Sequence, residues 1–275
     1  MNESYAIAIL SYNHPEMTAR CVNSVLQLHS SKDIFLVHNG SENKFVNQLV
    51  QMFPNIHHIK QNINNGYSGG VNFTLKHVFQ YYEQVLFLTN DIELETINPN
   101  PHYDFAAIKI FKRNTTSIDS LMGELDPRLG RLNHLKTLKD IKNQNYLYIP
   151  GTAFWINKQT FKTVGLFDES FHTYWEDVDY SFRARLHNIK LSLDEQTTCK
   201  HKIGKTCHKN RFYTYELYQR NRGLFMKKHQ LIGIQFLIQY TIDLFKYCRS
   251  DYGYVFLTLK NLYTSTTQIK GYAHE

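Results

Sequence analysis

The amino-acid sequence predicts an α/β protein with a Rossmann-like, mainly parallel central sheet, helices on both faces and a C-terminal helical appendage. Three observations predict it. Over residues 5–91, short apolar runs alternate with segments of helical periodicity, which is the rhythm of strands joined by helical crossovers. Polar clusters follow those runs, at Ser11-Tyr12-Asn13, His38-Asn39-Gly40-Ser41 and Thr89-Asn90-Asp91, and ligands bind at that end of such strands. Beyond Tyr213 the pattern is helical with no long β-like run between the helices.

Each element has its own signal. Tyr5–Ser11 is a buried strand by its unbroken apolar run. Pro15 suits the first position of a helix, and Met17, Cys21, Val25 and Leu28 then share one face to about Ser30. Ile34–Val37 is a strand stopped by Asn39-Gly40-Ser41, Phe45–Met52 a helix and Ile56–Ile59 a weak strand. Asn62–Gly70 reads as a polar, Gly-rich loop, Val71–Tyr82 as a helix and Val85–Leu88 as a strand. Residues 98–147 are irregular and read as an excursion from the sheet. Tyr146–Ile156 is strand-like with a break at Pro150-Gly151, Gln159–Val164 a short helix, and Asp177–Leu186 a helix with Asp179 and Arg183 paired at i, i+4. Tyr213–Lys228, Leu231–Tyr247 and Val255–Leu262 are helical segments.

The 275 residues include 31 Lys plus Arg and 24 Asp plus Glu, a formal +7 with the 14 His neutral. With 42% hydrophobic and 20% charged residues, the chain is neither disordered nor fibrous. Its charge is uneven: residues 200–275 carry a net +9 and residues 1–199 a net −2. A basic last quarter on a near-neutral body points to a local anionic surface rather than to nucleic acid, and no nucleic-acid-binding motif is spelled out. Four irregularly spaced cysteines, Cys21, Cys199, Cys207 and Cys248, imply no disulfide framework. The N-terminal apolar stretch of six residues has no basic flank, so no signal peptide is expected. No run nears the roughly 20 apolar residues of a membrane span. A cytoplasmic location is the expectation.

Four constellations carry chemistry. Asp91 follows an apolar strand, where a hard oxygen ligand suits Mg²⁺ or Mn²⁺ beside a diphosphate; a turn or cap Asp is the plainer alternative. In Asn64-Asn65-Gly66-Tyr67-Ser68-Gly69-Gly70-Val71-Asn72 the glycines let backbone approach a ligand at a helix start, though neither a Walker nor a GxGxxG pattern is spelled out. From Asp168 to Asp179 five carboxylates lie within twelve residues, among Phe171, Tyr174 and Trp175. Aromatic walls desolvate a carboxylate and favour a general base. An acidic helix N-terminus accounts for Asp179 and partly for Glu176-Asp177, but not for the aromatics. The run Cys199–His208 has Lys202 and Lys205 near His201. It matches no common zinc spacing, so His201 reads as a single metal or phosphate ligand.

Taken in order, these strings resemble the family 2 glycosyltransferases of the GT-A fold, in the bacterial branch of rhamnosyl- and galactofuranosyl-type transferases. The matching strings are LSYN at Leu10–Asn13, VHNGS at Val37–Ser41, NNGYSGGVN at Asn64–Asn72, LTND at Leu88–Asp91, GTAFWINKQTFKTVGLFDESFHTYWEDVDYSFRAR at Gly151–Arg185, His201, and YQRNR at Tyr218–Arg222. They cover about residues 5–228. The resemblance implies an inverting transfer from a nucleotide-sugar donor, UDP- or dTDP-linked. By position, Ser11, Asn13, His38, Asn39, Asn65, Gly66, Gly70, Asn72, Asn90 and Lys205 fall to the nucleotide-sugar. Asp91 and His201 fall to a divalent metal, Mn²⁺ or Mg²⁺. Asp177 is implied as the catalytic base, with Glu176 the other candidate, and Trp175, Tyr174 and Asp168 as acceptor-side residues. Two positions depart from the family pattern: His38 stands where relatives usually have an Asp that contacts the nucleobase, and Asn90 replaces the first carboxylate of the metal element.

The expectation is therefore an enzyme of surface-polysaccharide synthesis (capsule or lipopolysaccharide) with a glycan or lipid-linked acceptor. A non-catalytic nucleotide- or glycan-binding relative serving as an assembly subunit is the alternative that the two departures motivate. Residues 1–228 form the expected catalytic domain and residues 229–275 the helical extension. In that extension Leu231, Ile234, Leu237, Ile238, Ile242 and Phe245 can share a face behind Lys227-Lys228, suited to the cytoplasmic leaflet of a membrane, to packing on the catalytic domain or to a homodimer contact.

Overall fold

The computed structural model describes residues 5–99, 101–201 and 211–247. Two compact units divide the chain: residues 1–125 with 132–209, and residues 126–131 with 210–275. The sequence reading puts its boundary after residue 228; the compact units divide ahead of residue 210. Lys205, Cys207, Cys248 and the segment 255–262 lie outside the described residues.

The first unit opens with β1 (Tyr5–Ser11), α1 (Pro15–Leu26), β2 (Ile34–Asn39), α2 (Asn43–Met52), β3 (His57–Gln61), α3 (Gly66–Val78) and β4 (Gln84–Thr89), the expected alternation. There follow β5 (Ile92–Thr96), β6 (Phe105–Lys112), β7 (Ile118–Ser120), β8 (Met122–Asp126), β9 (Arg131–Leu135) and β10 (Leu147–Tyr148). The unit's remaining elements are β11 (Ala153–Asn157), α4 (Lys158–Val164), α5 (Glu176–Leu186) and β12 (Leu191–His201). The main sheet has the order β3-β2-β1-β4-β11-β6-β12-β5, with β7 beside β6, and β10-β8-β9 form a small second sheet. β3, β2, β1 and β4 are parallel, β11 is antiparallel to both β4 and β6, β12 is parallel to β6, and β5 is antiparallel to β12.

Period-2 alternation divides the core between the two faces of this sheet. Ala6, Ala8, Leu10, Phe35 and Val37 face a cluster that includes Val71 and Leu75 of α3 and Tyr180 and Ala184 of α5. Ile7, Ile9, Ile34 and Leu36 face Cys21, Val22 and Val25 of α1 and Leu49 of α2. Helices therefore cover both faces, as expected. Both Cys21 and Cys199 are buried free thiols.

The structure corrects three sequence readings. α3 begins at Gly66, inside the stretch read as loop, because Gly69 and Gly70 serve close packing: a Cβ on Gly70 would sit 2.8 Å from Leu10 Cδ2. Residues 98–147 are no excursion, since β6 lies in the middle of the main sheet between β11 and β12. Its Phe105, Ala106, Ala107 and Ile108 are buried, so a strand covered on both faces shows no alternation, and two alanines give little β signal. β12 was not read as a strand. It carries a register shift between Asp194 and Thr198, where buried Asp194 accepts the Trp155 indole N–H at 2.9 Å.

The second unit contains α6 (Arg211–Lys228) and α7 (Ile234–Tyr247). Its buried side chains include Leu217, Phe225 and Met226 of α6 and Phe236, Tyr240 and Leu244 of α7. Arg222, 2% exposed, is the polar centre: it donates to Asp243 Oδ2 at 2.8 Å, to Gln219 Oε1 at 3.1 Å and to the Leu129 carbonyl at 2.5 Å. Its guanidinium also lies over the rings of Phe236 and Tyr240. This anchors the Arg of the YQRNR string as a structural residue, because a buried charge is tolerated only when paired and hydrogen-bonded.

Candidate active site

The site forms where β1, β2 and β4 end, and the sheet register assembles it. Asp91 sits in the two-residue turn between β4 and β5. Antiparallel pairing of β12 with β5 sets His201 opposite Ile92. His201 Nε2 consequently reaches Asp91 Oδ2 at 3.2 Å, although 110 residues separate them. The Thr89 hydroxyl donates to Asp91 Oδ1 at 2.6 Å. Burial alone would push the Asp91 carboxyl up; the hydrogen bond and charge of His201, then Thr89, outweigh it and hold it below the usual carboxylate range. Burial alone would likewise depress His201, and Asp91 with Asp119 holds it above the usual imidazole range. Asp119 of β7, 3.7 Å from His201 Nδ1, belongs to the stretch read as irregular and was not foreseen.

Asp177 stands in the first turn of α5 and is partly exposed. Its Oδ2 accepts the Gly151 N–H at 3.0 Å and its Oδ1 the Val178 N–H at 2.8 Å. Burial raises its pKa, against which those two N–H groups and the charge of His134 work. Glu176 is 5% exposed, and its Oε2 has no hydrogen-bond partner among the described residues. Burial, then the Asp177 charge beside it, pushes the Glu176 carboxyl well up. Two adjacent carboxylates thus differ by environment, Glu176 buried without a partner at Oε2 and Asp177 partly exposed and held by two N–H groups.

Gly151 and Thr152 join the two halves. Gly151 gives its N–H to Asp177 and accepts the Tyr67 hydroxyl at its carbonyl. The next carbonyl, Thr152, accepts the Thr89 N–H at 3.0 Å and the Thr89 hydroxyl at 3.1 Å. Burial, then the charges of Glu176, Asp177 and Asp91, keeps the Tyr67 phenol well above its usual range, so all three carboxylates converge on this one ring. Neither Tyr67 nor Gly151 was singled out from sequence; a tyrosine inside a Gly-rich string was the only available signal.

The other expected residues sort into scaffold and open positions. The Asn39 amide donates to the Gly66 carbonyl at 2.9 Å and to Asn64 at 3.2 Å, which pins the Gly-rich turn, and the backbone N–H of Asn65 lies 3.4 Å from Asn39 Oδ1. Asn72 clamps the segment before α5, donating to the Phe167 carbonyl and to Glu169 Oε1, each at 2.9 Å, and accepting the Phe167 N–H at 2.8 Å. Asn90 donates to Thr18 on α1 at 2.9 Å. Asp168 caps a 3-10 turn through Ser170. Trp175, expected on the acceptor side, is 1% exposed, and Tyr174 is half-buried beside it. Asp179 pairs with Arg183 at 2.8 Å as expected, and Arg183 also donates to the Val164 and Leu166 carbonyls.

His172, Tyr174 and Trp175, just ahead of the carboxylates, all take positive φ (61°, 69° and 73°). Such strain persists only where surroundings over-determine it. Here the Ser68 N–H donates to the His172 carbonyl at 3.1 Å, and Gly66, at φ +71°, leaves room for the His172 ring, 2.3 Å from where a Cβ would stand. Gly66→Ala should therefore cost about 1–3 kcal/mol in denaturant unfolding and lower turnover with it. Unchanged stability would show that the ring moves aside freely.

Asp91, an oxygen donor, and His201, an imidazole, suit a Mn²⁺ or Mg²⁺ ion that completes its shell with phosphate oxygens and water. No group of three or more candidate ligands occurs among the described residues, and a cation that shares its shell with a diphosphate needs few protein ligands.

Comparison with known proteins agrees with this fold. Residues 6–105 match the family model described as Glycosyl transferase family 2. The low-salt glycan biosynthesis hexosyltransferase Agl10 of Haloferax volcanii is 24% identical over 257 residues, covering 88% of this chain and 81% of that protein. Among solved structures, GalNAc-T7 with UDP, GalNAc and Mn²⁺ superposes with a TM-score of 0.58 at 14% identity over 93% of this chain. Residues 1–349 of S. aureus TarS with UDP-GlcNAc give 0.57 at 16%, covering 94% of this chain and 80% of that one. The mannosyltransferase PcManGT of Pyrobaculum calidifontis with GDP-Man and Mn²⁺ gives 0.55 at 10%, covering 94% and 73%. This chain spans 57% of the length of the GalNAc-T7 chain. The fold is GT-A. Over residues 6–105 the chain is similar to the family 2 glycosyltransferases, and the hexosyltransferase relative extends that likeness along most of its length.

Proposed function

We propose that the protein is an inverting, metal-dependent transferase that moves a sugar from a UDP- or dTDP-sugar to a hydroxyl of a glycan or lipid-linked acceptor, in surface-polysaccharide synthesis of the kind the bacterial branch implies. One observation carries this reading: the base Asp177 accepts the Gly151 N–H, and Thr89, whose hydroxyl holds Asp91 of the Asp91–His201 pair, gives its own N–H to the next carbonyl, Thr152. An acceptor hydroxyl gives its proton to Asp177 as its oxygen bonds to the anomeric carbon. The bond from that carbon to the diphosphate breaks on the opposite face, and its electrons leave with the nucleoside diphosphate. A cation held by Asp91 and His201 would supply charge neutralisation for that leaving group. One base with no covalent nucleophile makes a single displacement, hence inversion. The relatives solved with UDP, UDP-GlcNAc or GDP-Man support a nucleotide-sugar donor.

The test is a turnover screen of the purified chain across UDP-, dTDP-, GDP- and CMP-sugars with and without Mn²⁺, with NMR of the product anomer. Metal-stimulated turnover of a UDP- or dTDP-sugar with inversion is expected. Nucleotide binding without any turnover would assign the non-catalytic reading.

A membrane-facing role rests on α7. Ile234, Ile238 and Ile242 are 71%, 56% and 53% exposed at i, i+4 and i+8, opposite the buried Phe236, Tyr240 and Leu244. No helix among the described residues is long and apolar enough to cross a membrane. An exposed apolar stripe in a segment of net +9 suits an anionic lipid surface. The full chain should float with phosphatidylglycerol vesicles, and the Ile238→Lys/Ile242→Lys variant should not. Equal flotation removes the stripe from membrane binding; a variant that instead converts a dimer to a monomer in sedimentation assigns it to self-association.

A further inference from the structure

Two polar atoms at the ends of β1 and β2 are buried and unused. The strands are parallel, with Ser11 opposite His38. Alternation puts Ser11 in line with Ile7 and Ile9, and His38 in line with Ile34 and Leu36, on one face of the sheet. Ser11 is 1% exposed and His38 fully buried. Ser11 Oγ and His38 Nδ1 have no hydrogen-bond partner among the described residues. Orphaned polar atoms are costly in a fold and need a reason.

The other nitrogen of His38 explains which kind of atom Nδ1 is. His38 Nε2 lies 3.1 Å from His58 Nδ1, and His58 Nε2 lies 2.9 Å from the Phe53 carbonyl oxygen. A carbonyl only accepts, so His58 carries its hydrogen on Nε2. With its hydrogen there, the His58 ring accepts at Nδ1, and the hydrogen between the rings belongs to His38 Nε2. Neutral His38 is left with a bare lone pair at Nδ1. Burial pushes the His38 ring down to about 4, which keeps it neutral. The two rings lie edge to edge and nearly coplanar, with centroids 5.4 Å apart at 6°, and Phe53 at the end of α2 anchors the far end.

We propose that His58 is a positioning residue that locks His38 in one tautomer, so that His38 Nδ1 and Ser11 Oγ together read the N–H and adjacent C=O of a pyrimidinedione base, uracil or thymine. The proposal rests on the nucleotide-sugar reading above and deepens it. His38 Nδ1 accepts the base N–H and the Ser11 hydroxyl donates to the neighbouring carbonyl. Cytosine presents an acceptor nitrogen at that edge, and two lone pairs would face each other. Guanine presents a similar N–H and C=O pair on a larger ring and is the decisive control. The loops after the two strands are tied by the Asn13 N–H to Ser41 Oγ at 2.9 Å and the Glu42 N–H to Asn13 Oδ1 at 3.1 Å, bonds that give way as the base enters.

Calorimetric titration of the full chain with UDP, dTDP, CDP and GDP tests this, alongside His58→Phe, His38→Asp and the double variant, each checked for folding by thermal melt. The wild type should bind UDP and dTDP about tenfold or more above CDP. His58→Phe keeps a flat ring in place but frees the tautomer, and should lose about 2- to 10-fold in UDP affinity with CDP unchanged or tighter. His38→Asp accepts the base N–H without a relay, so adding His58→Phe to it should leave the UDP-to-CDP ratio unmoved. An unchanged ratio in folded His58→Phe overturns the relay alone. Tighter GDP than UDP overturns the pyrimidinedione assignment. Binding of none of the four overturns the donor reading, and the relay with it.

Discussion

Asp177→Asn should cut kcat by roughly 10²–10⁴-fold while leaving donor KM and melting temperature close to wild type. Asn keeps the shape and can still accept the Gly151 N–H with its amide oxygen, so the link to the loop at residues 150–152 survives. It cannot take the proton of an acceptor hydroxyl. Steady-state kinetics with a saturating donor checks this, and a variant with wild-type kcat would move the base elsewhere. Glu176→Gln is the control. Glu176 is buried, and burial with the neighbouring Asp177 pushes its carboxyl well up, so an amide should cost turnover little. Because the native Glu176 pKa is raised, the stability it contributes is complete below its unfolded value of about 4.3 and is lost as pH rises through the native value. Glu176→Gln should thus gain stability over wild type from pH 5 to pH 8. The rate has its own sign: Asp177 works only deprotonated and burial raises its pKa. The acid limb of kcat/KM should fall above the usual carboxylate range of about 4.

Much of the site was legible because its residues follow strand ends. A run such as Tyr5–Ser11 or Gln84–Thr89 can only be a covered strand, and what comes next is then exposed at the ligand edge. Asp91 is singled out by that logic, and Asp177, in the first turn of α5, by its cluster of carboxylates and aromatics. What escaped depends on pairing between distant segments. β6 hid because Phe105–Ile108 is covered on both faces and half alanine. Without β6, β12 has no neighbour to pair with, and the register that brings His201 to Asp91 is invisible. Asp119 is in the same stretch. The start of α3 escaped because glycine usually marks a loop, whereas Gly69 and Gly70 are needed for contact with Asn65 and with Leu10. His58 sits on a weak strand, and only the β2–β3 pairing reveals that it faces His38.

Asp91→Ala should abolish metal-stimulated turnover, lowering it by about 10²–10³-fold, and should weaken Mn²⁺ binding, read by electron paramagnetic resonance of free Mn²⁺, independently of turnover. The geometry gives the reason. Asp91 is the only carboxylate in the turn that leads from β4 to β5, and both its oxygens are set: Oδ1 by the Thr89 hydroxyl, Oδ2 toward His201. Its lowered pKa keeps it ionised, as a cation ligand must be. Losing it removes a charge that no neighbour replaces, because Asn90 at the preceding position is neutral and committed to Thr18. His201→Ala should have the smaller effect, since Asp91 and the donor's phosphates would still offer oxygens. Asp119→Asn should be smaller again and should act through the orientation of His201, loosening Mn²⁺ with little change in kcat at saturating metal. That ordering separates a ligand from its support. If Asp91→Ala binds Mn²⁺ as wild type does, the Asp91–His201 contact is an ordinary ion pair closing the sheet, and the diphosphate must find its counter-charge among other residues.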